Sequence, residues 1–366
     1  MAFSFNNTNK DAPLKSRGFT LGSSFSFPAT LSQSTDTKAV ESSAPISGPK
    51  LKDEELRELR NALTATQPAK GRIKKMNQSF NFTKYEPKLE SQWRNVEWTE
   101  EKKTSLMKTI SSYKPSCDDV SQARILLLGP VGSGKSSFIS SVQSVFGGRV
   151  TNRAMVGSSS SSFTRKLQSF NIRAQKGKDP TGLVLCDTMG LGDGDMTGPT
   201  LHDILSVIKG HVADGHKFSP DQPVSSETPG YVKAPGLRGR IHCVVFVVDA
   251  SQILQYPKGL SSTFQQLREH ISDLGVHQVG LLTHVDKVSV ETGKDVSQVY
   301  QSSVVKETVS KAAALLGMST SSIVPVKNYS SELDLDTNTD VLLLSAVDLI
   351  LQYADLYFQD NVHPKI

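Results

Sequence analysis

The stretch ILLLGPVGSGKSSFIS, residues 125–140, decides the fold. Its apolar opening is the pattern of a buried strand, and GPVGSGKS then fits G-x-x-x-x-G-K-[ST] from Gly129 to Ser136. Glycines at these places let the backbone curl until successive N–H groups point at one anion. A helix that starts directly afterwards adds its positive dipole end. The predicted phosphate cradle is therefore Gly129, Gly132, Ser133, Gly134, Lys135, Ser136 and Ser137. Lys135 is placed to reach β- and γ-phosphates, and Ser136 to ligate Mg²⁺.

A second element follows in LVLCDTMG, residues 183–190, an apolar strand that ends in an acid. Asp187 is the expected Mg²⁺ partner, and Gly190 the residue whose N–H meets a γ-phosphate. Between the two lies VGSSSSSFTRK, residues 156–166, where nucleotide switches carry a threonine that ligates Mg²⁺. Thr164 is the candidate there, with serines 158–162 as alternatives. No catalytic residue is assigned beyond the candidates Thr164 and Arg165, with Arg153 a further cation near that loop.

The base is read from VGLLTHVDK, residues 279–287. Thr283 and Asp286 fit the [NT]-K-x-D pattern, with His284 where lysine is usual. A carboxylate at Asp286 can accept from guanine N1–H and the 2-amino group, whereas adenine would set a lone pair against it. Leaving that carboxylate unpaired costs several kcal/mol, on the order of thousandfold discrimination. In VPVKNYSSE, residues 324–332, Lys327 and Asn328 are candidates for the loop beside the base. The expected ligands are GTP or GDP with Mg²⁺.

The surroundings fit this reading. From residue 124, short apolar runs alternate with helical segments, the signature of α/β architecture. Strands are expected at 124–128, 167–173, 182–186, 241–248, 278–282 and 322–326, and helices near 135–146, 201–211, 263–274, 297–316 and 339–358. The predicted fold is a GTPase-like P-loop NTPase, a three-layer sandwich around a mostly parallel sheet. Residues 91–366 form that domain, with a lead-in helix from 99 to about 113 and a long insertion at about 190–240. Within the insertion, residues 213–240 are rich in Pro and Gly. Trp93 and Trp98 read as anchors for the lead-in.

Residues 1–90 read as a low-complexity tail, largely disordered, with a short helix near 51–65. Phe-x-Phe pairs recur in it, and KGRIKK at 70–75 is a basic linker. This tail holds 14 Lys and Arg against 9 Asp and Glu, leaving 27 of each sign in the rest. The net charge of +5 thus belongs to the tail, and no specific nucleic-acid binding is indicated. The three cysteines fit no metal or disulfide spacing, which points to a reducing compartment. No secretory signal and no run of about 18 apolar residues is read, so a cytoplasmic protein without a membrane span is expected. Protein partners are not named by the sequence; nucleotide-dependent self-association is one candidate.

Together GPVGSGKSSFISSV, the serine run with FTRKL, LCDTMGL, LLTHVD and VPVKNYSSE resemble the interferon-induced protein 44 family, over roughly residues 90–358. The resemblance implies a GTP-binding, cytoplasmic protein of the innate antiviral response. Longer members carry an N-terminal TLDc-type domain, for which residues 1–90 have neither the length nor the apolar content. Two residues argue against fast cleavage. Leu191 stands where small GTPases use a water-orienting Gln, and Val131 where they prefer Gly. A slow GTPase switch and a GTP-holding interaction protein are the two readings.

Overall fold

Six apolar stretches become the six strands of one sheet: β1 (Ala123–Leu128), β2 (Gln168–Arg173), β3 (Pro180–Asp187), β4 (Cys243–Asp249), β5 (His277–Thr283) and β6 (Ile323–Pro325). The computed structural model describes residues 88–151, 166–174, 180–192, 198–219 and 221–361, all within the compact unit Gln78–Ile366. The expected tail with its short helix, Phe pairs and basic cluster lies outside the described residues, as do Arg153, serines 158–162, Thr164 and Arg165.

The order is β2-β3-β1-β4-β5-β6, with β2 antiparallel to β3 and every other pair parallel. Each residue of β4 is buried, as expected of a strand with both sheet faces covered. One face carries α1 (Glu100–Ser112), α2 (Lys135–Gly147) and α8 (Thr337–Asn361), with α1 and α2 each packed on α8. The other carries α3 (Leu201–Ile208), α4 (Lys258–Asp273) and α7 (Ser303–Leu316). This is the three-layer α/β fold of a P-loop NTPase, with GTPase-like strand order.

Some boundaries differ from the sequence reading. The expected helix at 297–316 begins only at Ser303; Asp295 caps a 3₁₀ turn at Val296–Gln298, and the Ser302 hydroxyl caps α7. Two short helices, α5 (Val285–Val288) and α6 (Val290–Lys294), follow β5 where none was expected. Among the described residues one helix, α8, is long and apolar enough to cross a membrane by length and composition. The helix is nevertheless a core element, with 61% of its apolar window buried inside the fold.

The lead-in is anchored as its tryptophans suggest. Trp93 meets Tyr300 edge-on at 4.9 Å, Trp98 stacks on the same ring at 6.0 Å, and Trp93 N–H donates to Tyr300 O at 3.0 Å. Part of the insertion covers the free edge of the sheet. Asp214 Oδ1 accepts from Ser169 N at 2.7 Å, and Leu167 N donates to His216 O at 2.9 Å. These contacts occupy outward backbone groups at the start of the edge strand, which shortens the row open to another chain. The insertion then returns to α3, where Asp203 Oδ1 accepts Val224 N at 2.7 Å. Cys117, Cys186 and Cys243 are free thiols in the core.

His242, just before β4, is fully buried and uses both ring nitrogens. Nδ1 accepts Arg124 N at 2.9 Å, so Nε2 carries the proton toward Leu237 O at 2.9 Å. Burial pushes its pKa down from the ordinary 6.5 to about 4. The unfolded chain takes up a proton below about 6.5 while the native ring stays neutral. His242 therefore adds a loss of stability as pH falls from about 6.5 to about 4, near 1.4 kcal/mol per pH unit. Urea melts across this window should show that slope, and His242→Gln should flatten it; an unchanged slope would count against the assignment.

Candidate functional site

The strand order reverses at β1, and ligands of open α/β sheets bind in the crevice outside the strand ends at such a point. There β1 runs into the loop Gly129–Ser136. Gly134 has a φ of 91° and forms the N-cap of α2 with no side-chain cap hydrogen bond. That backbone angle disfavours any residue with a Cβ, which would also stand a tight 3.1 Å from Asn328 Nδ2 and 3.3 Å from Thr283 Cγ2. The first N–H groups of α2 thus have no capping side chain at the N-cap, the arrangement that suits an anion. Ser133 is fully buried and its Oγ has no partner. Gly132 is exposed and Ser137 half-buried.

Lys135, only 7% exposed, donates from Nζ to Gly129 O and Pro130 O, each at 2.8 Å. Burial lowers its pKa to about 8, with Asp187 opposing the shift. Ser136 Oγ donates to Asp187 Oδ2 at 2.5 Å. Among the described residues no group of three His, Cys, Asp or Glu could hold a metal. A hydroxyl and a carboxylate side by side still fit Mg²⁺, which keeps several waters and takes its other ligands from substrate phosphates.

The turn after β3 lies directly against the cradle. Leu191 N donates to Gly129 O at 3.0 Å, and its side chain is 4% exposed. At Gly190 a Cβ would fall 2.7 Å from Val131 Cγ2, so glycine is required by contact rather than by backbone angle.

The ends of β5 and β6 are tied to the same loop. Thr283 Oγ1 donates to Ser133 O at 2.7 Å, and Asn328 Nδ2 donates to Gly134 O at 3.2 Å. Asn328 is 7% exposed, and its Oδ1 is buried without a partner. Asp286 stands in the first turn of α5, and its carboxylate has no hydrogen-bond partner among the described residues. Lys327 pairs with Glu332 at 2.9 Å. Burial works against the Glu332 charge, yet Ser330 N–H and Lys327 outweigh it and hold the carboxyl down to about 2.

His284 is the only non-glycine residue with positive φ among the described ones, at 55°. Its Nδ1 lies 2.9 Å from Asp249 Oδ2, at the end of β4. Burial would raise the Asp249 pKa, but hydrogen bonds from His284 and Ser251 hold it below the ordinary carboxylate range. Asp249 was not picked out from the sequence. The available signal was an acid ending an apolar strand, the same pattern that marks Asp187.

Fold and cradle define a P-loop NTPase of GTPase-like topology. No family model matches the chain. Interferon-induced protein 44 of Mus musculus is 36% identical over 257 residues, 70% of this chain and 60% of that protein. The Homo sapiens protein of the same name is 36% identical over 267 residues, 73% of this chain and 60% of its own length. Interferon-induced protein 44-like of Homo sapiens is 34% identical over 260 residues, 71% and 58% respectively. The chain therefore spans about 60% of the length of the curated relatives it matches. Two solved structures are similar at 15% identity. A probable GTP-binding protein engB has a TM-score of 0.35, covering 63% of this chain and 98% of that one. Aquifex aeolicus Era bound to GDP and AlF4⁻, in a variant form, has a TM-score of 0.31, with 63% and 56% covered. Over the matched region, this chain belongs to the interferon-induced protein 44 family.

Proposed function

We propose that this chain binds GTP and GDP together with Mg²⁺ and hydrolyses GTP slowly, as a nucleotide-dependent switch. The observation that carries the reading is one sheet end holding both a phosphate cradle and the unpartnered carboxylate of Asp286. In this reading the N–H groups of the loop and of the α2 N-terminus hold the phosphates. Lys135 moves from loop carbonyls to phosphate oxygens, and Asp286 reads the guanine edge. Ser136 and Asp187 would hold Mg²⁺, with Thr164 a further candidate ligand outside the described residues. The ion, when bound, would neutralise charge between β- and γ-phosphates.

Slow cleavage follows from Leu191 and Val131. A buried Leu191 has no side-chain group to orient water, and Val131 fills the space beside Gly190. Those residues equally favour the second reading, a GTP-holding interaction protein without turnover. Single-turnover phosphate release from labelled GTP separates the two; none over hours at high protein concentration would leave only the second. By family membership we further infer a place in the interferon-driven antiviral response and in the cytoplasm. We infer also that the nucleotide state controls recruitment of a protein partner or self-association, with residues 91–366 as the nucleotide domain and 1–90 as a tail.

Base choice is tested by titrating GDP against ADP. GDP should bind about a thousandfold more tightly, and Asp286→Asn should remove that preference. Because Asn can donate to the 2-oxo group of xanthine, xanthosine diphosphate should bind Asp286→Asn better than GDP does. Tighter ADP than GDP binding in the unaltered protein would overturn the guanine reading.

A further inference from the structure

The geometry points to Asp249 as a positioning residue for the nucleotide: it fixes the His284 ring as the surface against which the purine packs. This inference rests on the guanine-nucleotide reading of the cradle and deepens it.

Lysine is usual at the position of His284, where its flexible stem covers the base. An imidazole is short and rigid, so it can serve there only if something sets its angle. The backbone does part of this, because His284 adopts the left-handed conformation, at a φ of 55°. A side chain pays about 1 kcal/mol or more to sit there, and such strain clusters at functional sites. Asp249 does the rest from the neighbouring strand, with Oδ2 at 2.9 Å from Nδ1. Asp249 is itself held. Its Oδ1 accepts Ser251 N at 2.8 Å and Ser251 Oγ at 2.7 Å, and its own N–H donates to Tyr256 Oη at 2.9 Å.

The bond to Asp249 places a proton on Nδ1. The opposite edge, Nε2, has no hydrogen-bond partner among the described residues, and the His284 side chain is 22% exposed. One edge of the ring is thus anchored while the rest remains available. Thr283, one residue earlier, touches the cradle at Ser133 O, and Asp286 stands two residues later. The ring therefore lies in the chain between the residue that braces the phosphate loop and the one that reads the base.

The test is a double-mutant cycle on GDP affinity. His284→Ala should weaken GDP binding about tenfold, the size of a lost aromatic contact to a base. Asp249→Ala should cost nearly as much, and the double variant should be no weaker than His284→Ala alone, because the two act as one unit. Asp249→Asn keeps an acceptor for Ser251 and should give an intermediate loss even if Asp249→Ala fails to fold. Ser251→Ala, which removes one of the bonds that hold Asp249 but leaves the bond to His284 in place, should cost less affinity than Asp249→Ala. In imidazole ¹H–¹⁵N spectra, the His284 Nδ1–H signal should shift when GDP is added, and Asp249→Asn should weaken that shift. Additive losses, or affinity unchanged in Asp249→Asn and His284→Ala, would overturn the inference and leave guanine-nucleotide binding standing. Failure of the unaltered protein to bind GDP would overturn both.

Discussion

Lys135→Ala should lose at least about a hundredfold in GDP and GTP affinity while the nucleotide-free protein melts no lower, and even higher, than the unaltered one. The two halves have opposite signs because the side chain is buried for a ligand rather than for the fold. Burial lowers its pKa from 10.5 to about 8, so the unfolded chain holds this proton more firmly than the native one. Where the unfolded state binds more protons, stability rises with pH; here that window runs from about 8 to 10.5. Below it, the buried ammonium costs the fold on the order of 3 kcal/mol. Removing the ammonium takes one donor from each loop carbonyl, but Gly129 O stays bonded to Leu191 N and Pro130 O to Ser133 N. A fluorescent-nucleotide titration and a thermal melt on the same sample check both signs. A large drop in melting temperature together with retained affinity would make Lys135 a structural residue. Affinity of the unaltered protein should also fall as pH rises past about 8, where the ammonium needed by the phosphates is lost.

The second large effect is on stability. Lys103 of α1 reaches Asp340 of α8 at 3.0 Å, and the Asp340 side chain is fully buried. Burial raises the Asp340 pKa, and the bonds from Tyr329 and Lys103 offset only part of that. Lys103→Ala leaves a buried carboxylate with Tyr329 Oη as its side-chain donor, at 2.7 Å. Losing one partner of such a pair costs about 3–5 kcal/mol. In a body of this size that is a fall of about 10 °C in melting temperature. Lys103→Met with Asp340→Leu should recover most of the loss, because Tyr329 Oη keeps its bonds to Asp336 O and Asp336 N. Guanidinium melts of the two single variants and the double variant test this; a double variant as unstable as Lys103→Ala would refute it. Tyr329 directly follows Asn328, and its N–H donates to Ser141 Oγ of α2 at 2.9 Å. Lys103→Ala should accordingly also weaken GDP binding by a few-fold.

The cradle was legible because its chemistry is local: eight consecutive residues, Gly129 to Ser136, carry the backbone, the cation and the hydroxyl. The strands were legible because burial on both faces leaves unbroken apolar runs such as CVVFVVD. What escaped depends on pairing across the chain. Val296, Val299 and Tyr300 have helical spacing, yet the polar caps at Asp295 and Ser302 break the segment into a 3₁₀ turn and a later helix. Lys327, read toward the base because it follows β6, also pairs with Glu332 five residues on, a partner that the sequence reading did not give it. Asp249 acquires meaning from His284, 35 positions later, through two adjacent strand ends. The direction of β2 is likewise invisible in QSFNIR, since alternation alone does not encode polarity of pairing.

Helix α8 closes the described fold, and this has a consequence for how the protein is made. Until residues 337–361 emerge from the ribosome, strands β1, β4 and β5 lack the helix that covers one of their faces. The helix that will cover them is long and apolar, and 61% of its most apolar window is buried once the body has folded. Synthesis of this chain thus passes through a stage in which an uncovered apolar sheet and the apolar helix that covers it have not yet met. Its yield in a cell should depend on how quickly the two find each other, and a holdase chaperone present during translation should raise it.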